Sequence, residues 1–238
     1  MGATDATPTP APVVTIDGPS GSGKGTVSQL LAAHLGWHYL DSGALYRLTA
    51  LAATRRGIDL GDAPRVAALA AALDARFEVD AAGGERMFLD GTPVGAELRS
   101  EATGAGASQV AVLGAVRAAL LERQRAYRRP PGLVADGRDM GTTVFPDAEV
   151  KIFLTASLEA RAERRYKQLK EKGLDARIAG LLEELAERDR RDSERALAPL
   201  RAAPDAVLLD STELDIPACL ARGLDIVERR LPGTGRKY

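Results

Sequence analysis

Residues 13–35 read VVTIDGPSGSGKGTVSQLLAAHL, and the order of the three parts of that stretch decides the fold. Val13 to Asp17 is a short β-branched run, the composition of a buried strand. Gly18-Pro19-Ser20-Gly21-Ser22-Gly23-Lys24-Gly25-Thr26 follows, a near match to the phosphate-loop pattern. The one mismatch is Gly25, where the pattern has Ser or Thr. From Val27 to Leu35 the apolar spacing is helical. Strand, glycine-rich loop and helix in that order is what a phosphate cradle requires. Glycines let backbone N–H groups wrap an anion, and the helix N-terminus adds partial positive charge. In such a cradle Lys24 bridges the β- and γ-phosphates, and Thr26 offers the hydroxyl toward Mg2+ in place of residue 25.

The alternation continues along the chain. Further short runs are WHYLD at 37–41, GLVAD at 132–136, VKIFL at 150–154 and AVLLD at 206–210. Four of the five runs end in or abut Asp, as expected where strand ends meet a site. Strands separated by helices predict an α/β fold: a five-stranded parallel sheet sandwiched by helices, with ligands at the carboxyl ends. Between the second and third runs lie about ninety residues, too many for one crossover. Helices are expected at 46–56 and 66–73, then a β-hairpin from 76–80 and 86–91 around AAGGE. One long helix, from about Ser108 to Tyr127, is expected to return the chain to the sheet. After the fourth strand, 157–172 and 177–195 read as two charged helices around a break at Lys172-Gly173. The expected division is a disordered leader at 1–12 and a core at 13–61, 98–156 and 198–230. An acceptor-binding insert at 62–97, an arginine-rich helical lid at 157–197 and a tail at 231–238 complete it.

Composition narrows the class. The chain has 238 residues, 45% of them apolar and 27% charged, with a formal net charge of −1. That balance argues against a dedicated nucleic-acid binder. No apolar run is long enough to span a bilayer, and the N-terminus is no secretory or transit signal. One cysteine, Cys219, excludes an internal disulfide and fits a reducing cytoplasm. Arg outnumbers Lys by twenty-six to six, which suits phosphate binding where position supports it.

The chain contains no asparagine. A guanine-reading Asn-Lys-x-Asp motif and a protein-kinase catalytic loop therefore cannot exist here. An acidic pair closing a motor-type nucleotide strand is also missing, since the third run leads into Asp136-Gly137-Arg138-Asp139. What remains is a small-molecule kinase. Its acceptor side begins at Asp41-Ser42-Gly43-Ala44-Leu45-Tyr46-Arg47, where a hydroxyl and a guanidinium stand at a strand end. Ser42 can equally be a helix N-cap. In Asp136-Gly137-Arg138-Asp139-Met140-Gly141, Asp136 is placed to hold Mg2+ through water, Arg138 to meet phosphate, and Asp139 to accept from a base amine. Arg188, Asp192 and Arg195 share one helix face, and Arg161, Arg164 and Arg165 share a face of the preceding helix. Closing such a lid would exclude water and neutralise a transferring phosphoryl group.

GPSGSGKGT, LDSGALYR, ASQVAVLGAVRAALLERQRAY, LVADGRDMGTTVFPDAEVKIFL and ERDRRDSERALAPL together resemble the bacterial cytidylate kinases, from about Val13 to Val227. Lys24-Gly25-Thr26 is that family's own form of the loop. The resemblance implies transfer of the γ-phosphoryl group of ATP to CMP or dCMP with Mg2+, by a monomer. It implies ATP contacts from residues 18–26, Arg161 and Arg165, with Lys24, Arg138, Arg188 and Arg195 as catalytic groups. Ser42, Ser108, Arg117 and Asp139 fall around the cytosine, and Tyr46 is a further substrate-binding position. Arg188 and Asp192 fall at ribose-contacting positions, and Arg47, Arg138 and Arg195 at phosphate-facing ones. Ser108 and Arg117 rest on the resemblance alone. Alternatives left open by the residues are a kinase for AMP, UMP or shikimate, and a nucleotide-binding regulator.

Overall fold

A computed structural model describes residues 10–79, 85–171 and 173–234. The leader at 1–9, the AAGGE turn, Lys172 and the end of the tail therefore lie wholly or largely outside the described residues. All five runs form strands of one parallel sheet. They are β1 (Val13–Asp17), β2 (His38–Asp41), β6 (Leu133–Gly137), β7 (Val150–Thr155) and β8 (Val207–Asp210), in spatial order β2-β6-β1-β7-β8. β1 is buried along its whole length, which explains its unbroken apolar and β-branched composition. The register puts Asp41 beside Asp136 and Asp17 beside Gly137, so one sheet edge gathers the carboxylates.

Helices cover both faces. α1 (Lys24–Leu35) and α9 (Ile216–Arg230) pack Val27, Leu31 and Val227 against Val14, Ile16 and Ile152. α2 (Ser42–Arg55) and α6 (Gly114–Arg125) pack Leu45, Val116 and Leu120 against Val13, Leu133 and Ala135. Each fully buried Leu of this kind contributes on the order of 1.5–3 kcal/mol. α3 (Ala63–Ala71) joins the second cluster through Val66 and Ala70. β3 (Ala75–Val79), β4 (Glu85–Leu89) and β5 (Thr92–Pro93) form a separate antiparallel sheet. With α2 and α4 (Gly95–Leu98), β4 encloses a third small cluster around Leu48, Leu89 and Leu98. α7 (Leu158–Glu171) and α8 (Ile178–Glu194) form a charged pair with its own seam of Ala162, Leu169, Leu181 and Leu185. Gly173 between them takes φ +72. Among the described residues, no single helix is long and apolar enough to cross a membrane.

One expectation needs correction. The long helix from Ser108 to Tyr127 is two helices, α5 (Glu101–Val110) and α6, bent by 102°. Extended backbone at Leu113, with ψ 111, separates them. The apolar run VAVLGAV carries no polar break, so its pattern continues where the backbone turns. The first residue of α6, Gly114, sits close against Leu197, and a Cβ there would lie 2.8 Å from Leu197 Cδ1.

Candidate active site

Residues 18–23 arch from β1 into α1. Gly21 and Gly23 take φ +78 and +89, left-handed values that a Cβ disfavours. Gly18 passes so close to β7 that a Cβ there would lie 2.0 Å from the Leu154 carbonyl oxygen. The loop is tied from behind. Arg161 Nη1 donates to the Ser20 carbonyl at 3.1 Å, and Ser211 Oγ donates to the Ser22 carbonyl at 3.0 Å. Arg164 holds Ser211 in turn, through both Oγ and the main-chain oxygen. With those carbonyls drawn outward, the loop's N–H groups are left for an anion, and α1 has no acidic residue in its first turn.

Lys24 begins α1. Its Nζ lies 3.3 Å from the Pro19 carbonyl and 4.0 Å from Asp136 Oδ1. Burial, followed by the charge on Arg138, pushes the Lys24 ammonium below its ordinary range, while Asp136 opposes the shift. Burial likewise raises the Asp136 carboxyl, against the attraction of Lys24. Gly25 faces this pair, and a Cβ there would lie 3.3 Å from Asp136 Oδ2. The mismatch at position 25 thus keeps room beside Asp136.

A cavity of about 750 Å3 opens from Lys24 between α2, α5 and α8. Asp41, rather than Ser42, caps α2 by accepting the Ala44 N–H at 3.0 Å. Ser42 is left buried against Gly137, whose hypothetical Cβ would meet its Oγ at 2.7 Å. Arg47 donates from Nη1 to the Leu98 carbonyl at 2.9 Å. The bend between α5 and α6 brings Ser108 and Arg117 to the same wall. Arg117 pairs with Asp139 and lies over the Tyr46 ring, 5.9 Å from its centroid. Beside this pair, Arg138 Nε donates to Asp192 Oδ2 at 2.7 Å. Burial would raise the Asp192 carboxyl, but Arg138, Arg195 and Arg188 hold it below the usual range. Arg188 is lowered to about 10, by burial first and then by Arg138.

Several buried polar atoms here have no hydrogen-bond partner: Arg188 Nε, Arg195 Nη2, Ser108 Oγ and Asp136 Oδ1. Unpaired buried polar groups are costly, and a cluster of such donors and acceptors around one cavity marks where a ligand completes the structure.

Of the site residues expected from the sequence, Ser20, Gly21, Lys24, Gly25, Ser42, Tyr46, Arg47, Ser108, Arg117 and Asp136 line this cavity. So do Arg138, Asp139, Arg165, Arg188, Asp192 and Arg195. Gly18, Pro19, Ser22 and Gly23 shape the loop without lining the cavity, and Thr26 is exposed outside it. Arg161, Arg164 and Arg165 diverge. Arg161 and Arg164 face the back of the loop, with Arg161 held by Asp189 at 2.6 Å, while Arg165 lines the cavity and pairs with Glu101. Sequence reasoning missed Asp41 as a wall residue, and Arg99, Glu184 and Arg191 with it. The Asp at the end of WHYLD was the one available signal.

Comparison with known proteins agrees with this geometry. The family model described as cytidylate kinase matches residues 14–229. A protein named cytidylate kinase from Pseudomonas savastanoi pv. phaseolicola is 61% identical over 221 residues, covering 92% of this chain and 96% of its own. One from Pseudomonas aeruginosa is 60% identical over 220 residues, with the same coverage. One from Stutzerimonas stutzeri is 58% identical over 226 residues, covering 94% of this chain and 99% of its own. With a family model matched over residues 14–229 and relatives about 60% identical over nearly the whole chain, the chain belongs to the cytidylate kinase family.

Proposed function

We propose that the protein transfers the γ-phosphoryl group of ATP directly to the phosphate of CMP or dCMP. The observation that carries this reading is the set of buried, unpartnered donors, Arg188 Nε and Arg195 Nη2, that share one cavity with Lys24 and Arg138. Such a concentration of positive charge suits the phosphates of two nucleotides meeting end to end. The acceptor phosphate is already ionised and needs no general base. Catalysis is then in-line positioning plus charge neutralisation by Lys24, Arg138, Arg188 and Arg195. Ser108 Oγ, Ser42 and the Arg117–Asp139 pair supply donors and acceptors suited to the edge of cytosine, and Asp192 suits sugar hydroxyls. The loop residues 18–26 hold ATP, propped by Arg161, and Arg165 faces the same cavity.

In this reading the three-stranded sheet and α4 form the acceptor subdomain, and α7 with α8 forms the lid. The residues fit Mg2+ held mainly by phosphate oxygens. Asp136 presents a buried oxygen without a hydrogen-bond partner, which a water of the ion would satisfy. Thr26 is exposed and would have to turn inward to contribute. Among the described residues no cluster of three His, Cys, Asp or Glu could hold a metal unaided. Bound there, Mg2+ would neutralise charge on the donor phosphates. The lone thiol, Cys219, is buried and free, in keeping with a cytoplasmic enzyme.

The test is ADP release measured against CMP, dCMP, UMP, AMP and shikimate, with and without Mg2+. CMP and dCMP should be preferred and chelation should abolish turnover. Preference for another acceptor, or ADP release independent of any acceptor, would overturn the assignment.

A further inference from the structure

Asp17 ends β1 and directly precedes the phosphate loop, yet it is buried and lies outside the cavity lining. Its two oxygens make separate bonds across 123 and 124 residues of sequence. Oδ1 accepts the Met140 N–H at 2.8 Å, and Oδ2 accepts the Gly141 N–H at 2.8 Å. Met140 and Gly141 open a π-helical turn, Met140–Val144, immediately after Arg138 and Asp139. The first N–H groups of a helical turn have no partner within it and need an outside acceptor.

The residue at the N-cap of that turn is Asp139, and its side chain makes no capping bond. It pairs with Arg117 at the cavity instead. Asp17 therefore does from another strand what Asp139 would do locally, which frees Asp139 for the site. The fit is close. A Cβ at Gly141 would lie 2.8 Å from Thr15 Oγ1 and 3.1 Å from Lys151 Cδ, so the turn rests flush on β1.

This contact is a poor device for stability alone. Burial drives the Asp17 carboxyl up to about 7 against its two backbone hydrogen bonds, and Asp139 and Asp136 repel it further. A charged group so placed costs folding free energy. What it offers is a fork of two acceptors matched to two adjacent N–H groups.

We propose that Asp17 is a positioning residue: it clamps the turn bearing Arg138 and Asp139 to the strand that launches the phosphate loop, holding donor and acceptor in one frame. The proposal rests on Arg138 and Asp139 serving the acceptor, as argued above.

The test compares Asp17→Asn with Thr15→Val, a neighbouring buried polar group on the same strand. Asn keeps the volume but presents one acceptor and one donor to the two N–H groups. In Asp17→Asn, amide exchange at Met140 or Gly141 should accelerate at least tenfold, a readout independent of turnover. Its kcat with CMP should fall by about 10- to 100-fold and its KM for CMP should rise. KM for ATP should stay within about twofold, because the loop's own ties are untouched. Thr15→Val should leave all four quantities near those of the unaltered protein. Unchanged amide exchange, an unchanged kcat and KM for CMP, or equal weakening of ATP and CMP would each overturn the clamp. If the unaltered protein does not phosphorylate CMP, the acceptor reading fails instead, and amide exchange still decides whether the clamp exists.

Discussion

The donor loop and the acceptor wall meet in one cavity but are built by opposite means. Residues 18–26 are contiguous, and their shape is fixed by left-handed glycines and by carbonyls tied back to Arg161 and Ser211. The acceptor wall draws side chains from α2, α5, α6, the 137–141 turn and α8. Its cations crowd one another, and two of its buried arginine nitrogens lack partners. The loop's shape is held by its own backbone and the residues behind it, whereas the wall buries cations beside one another at a cost in folding free energy. Local backbone geometry therefore shapes the loop, and side chains far apart in the sequence shape the wall.

Four substitutions probe that contrast. Lys24→Ala should lower kcat by about 10^3-fold, since it removes the one side-chain cation of the loop from the developing charge. Circular dichroism and melting should be nearly unchanged; a variant with near-normal turnover would sink the cradle reading. Arg188→Leu should cost about 10^2-fold in kcat. It should leave the ligand-free melting temperature equal or higher, because the removed cation is buried beside Arg138. A lower melting temperature would mean that the acceptor wall is a stabilising network after all. Arg161→Ala should raise KM for ATP by about tenfold and leave KM for CMP alone, since it releases Ser20 and Asp189 behind the loop. Asp192→Ala should change the CMP to dCMP ratio of kcat/KM by several-fold. An unchanged ratio would remove Asp192 from sugar recognition.

The smallest effect is on pH and stability. Asp17 is raised to about 7 in the folded chain from 3.8, so the fold binds its proton more tightly than the unfolded chain does. Its carboxylate therefore costs stability above about pH 7, and that cost fades as pH falls through 7 toward 4. The melting temperature of the unaltered protein, relative to Asp17→Asn, should rise between pH 8 and pH 5. A pH-independent difference would mean that Asp17 does not titrate there.

The sheet and the loop were readable from residue order because their signals are local. Five short runs, each bounded by helical spacing, needed nothing beyond nearest neighbours, and the loop needed only its glycines and Lys24. The acceptor side was harder to read. Ser108 and Arg117 lie nine positions apart and share a wall only because the chain bends at 111–113, where the apolar pattern runs on unbroken. A straight helix would have aimed them elsewhere. Arg161 and Arg165 share a helical face by spacing, yet neighbouring elements draw one behind the loop and the other into the cavity. The contact of Asp17 with Met140 and Gly141 depends on β1 lying beside the end of β6, which no local pattern encodes.

The bend between α5 and α6 has a consequence for how this pocket can change. A straight helix can accept a new lining residue and keep its other walls, but here two walls hang from a joint of three residues. Ser108 on α5 and Arg117 on α6 keep their relative placement only while that joint keeps its length and its 102° angle. The shape of this cavity is thus tied to chain length at 111–113. A single-residue insertion there would reset the pocket without altering any side chain that faces it.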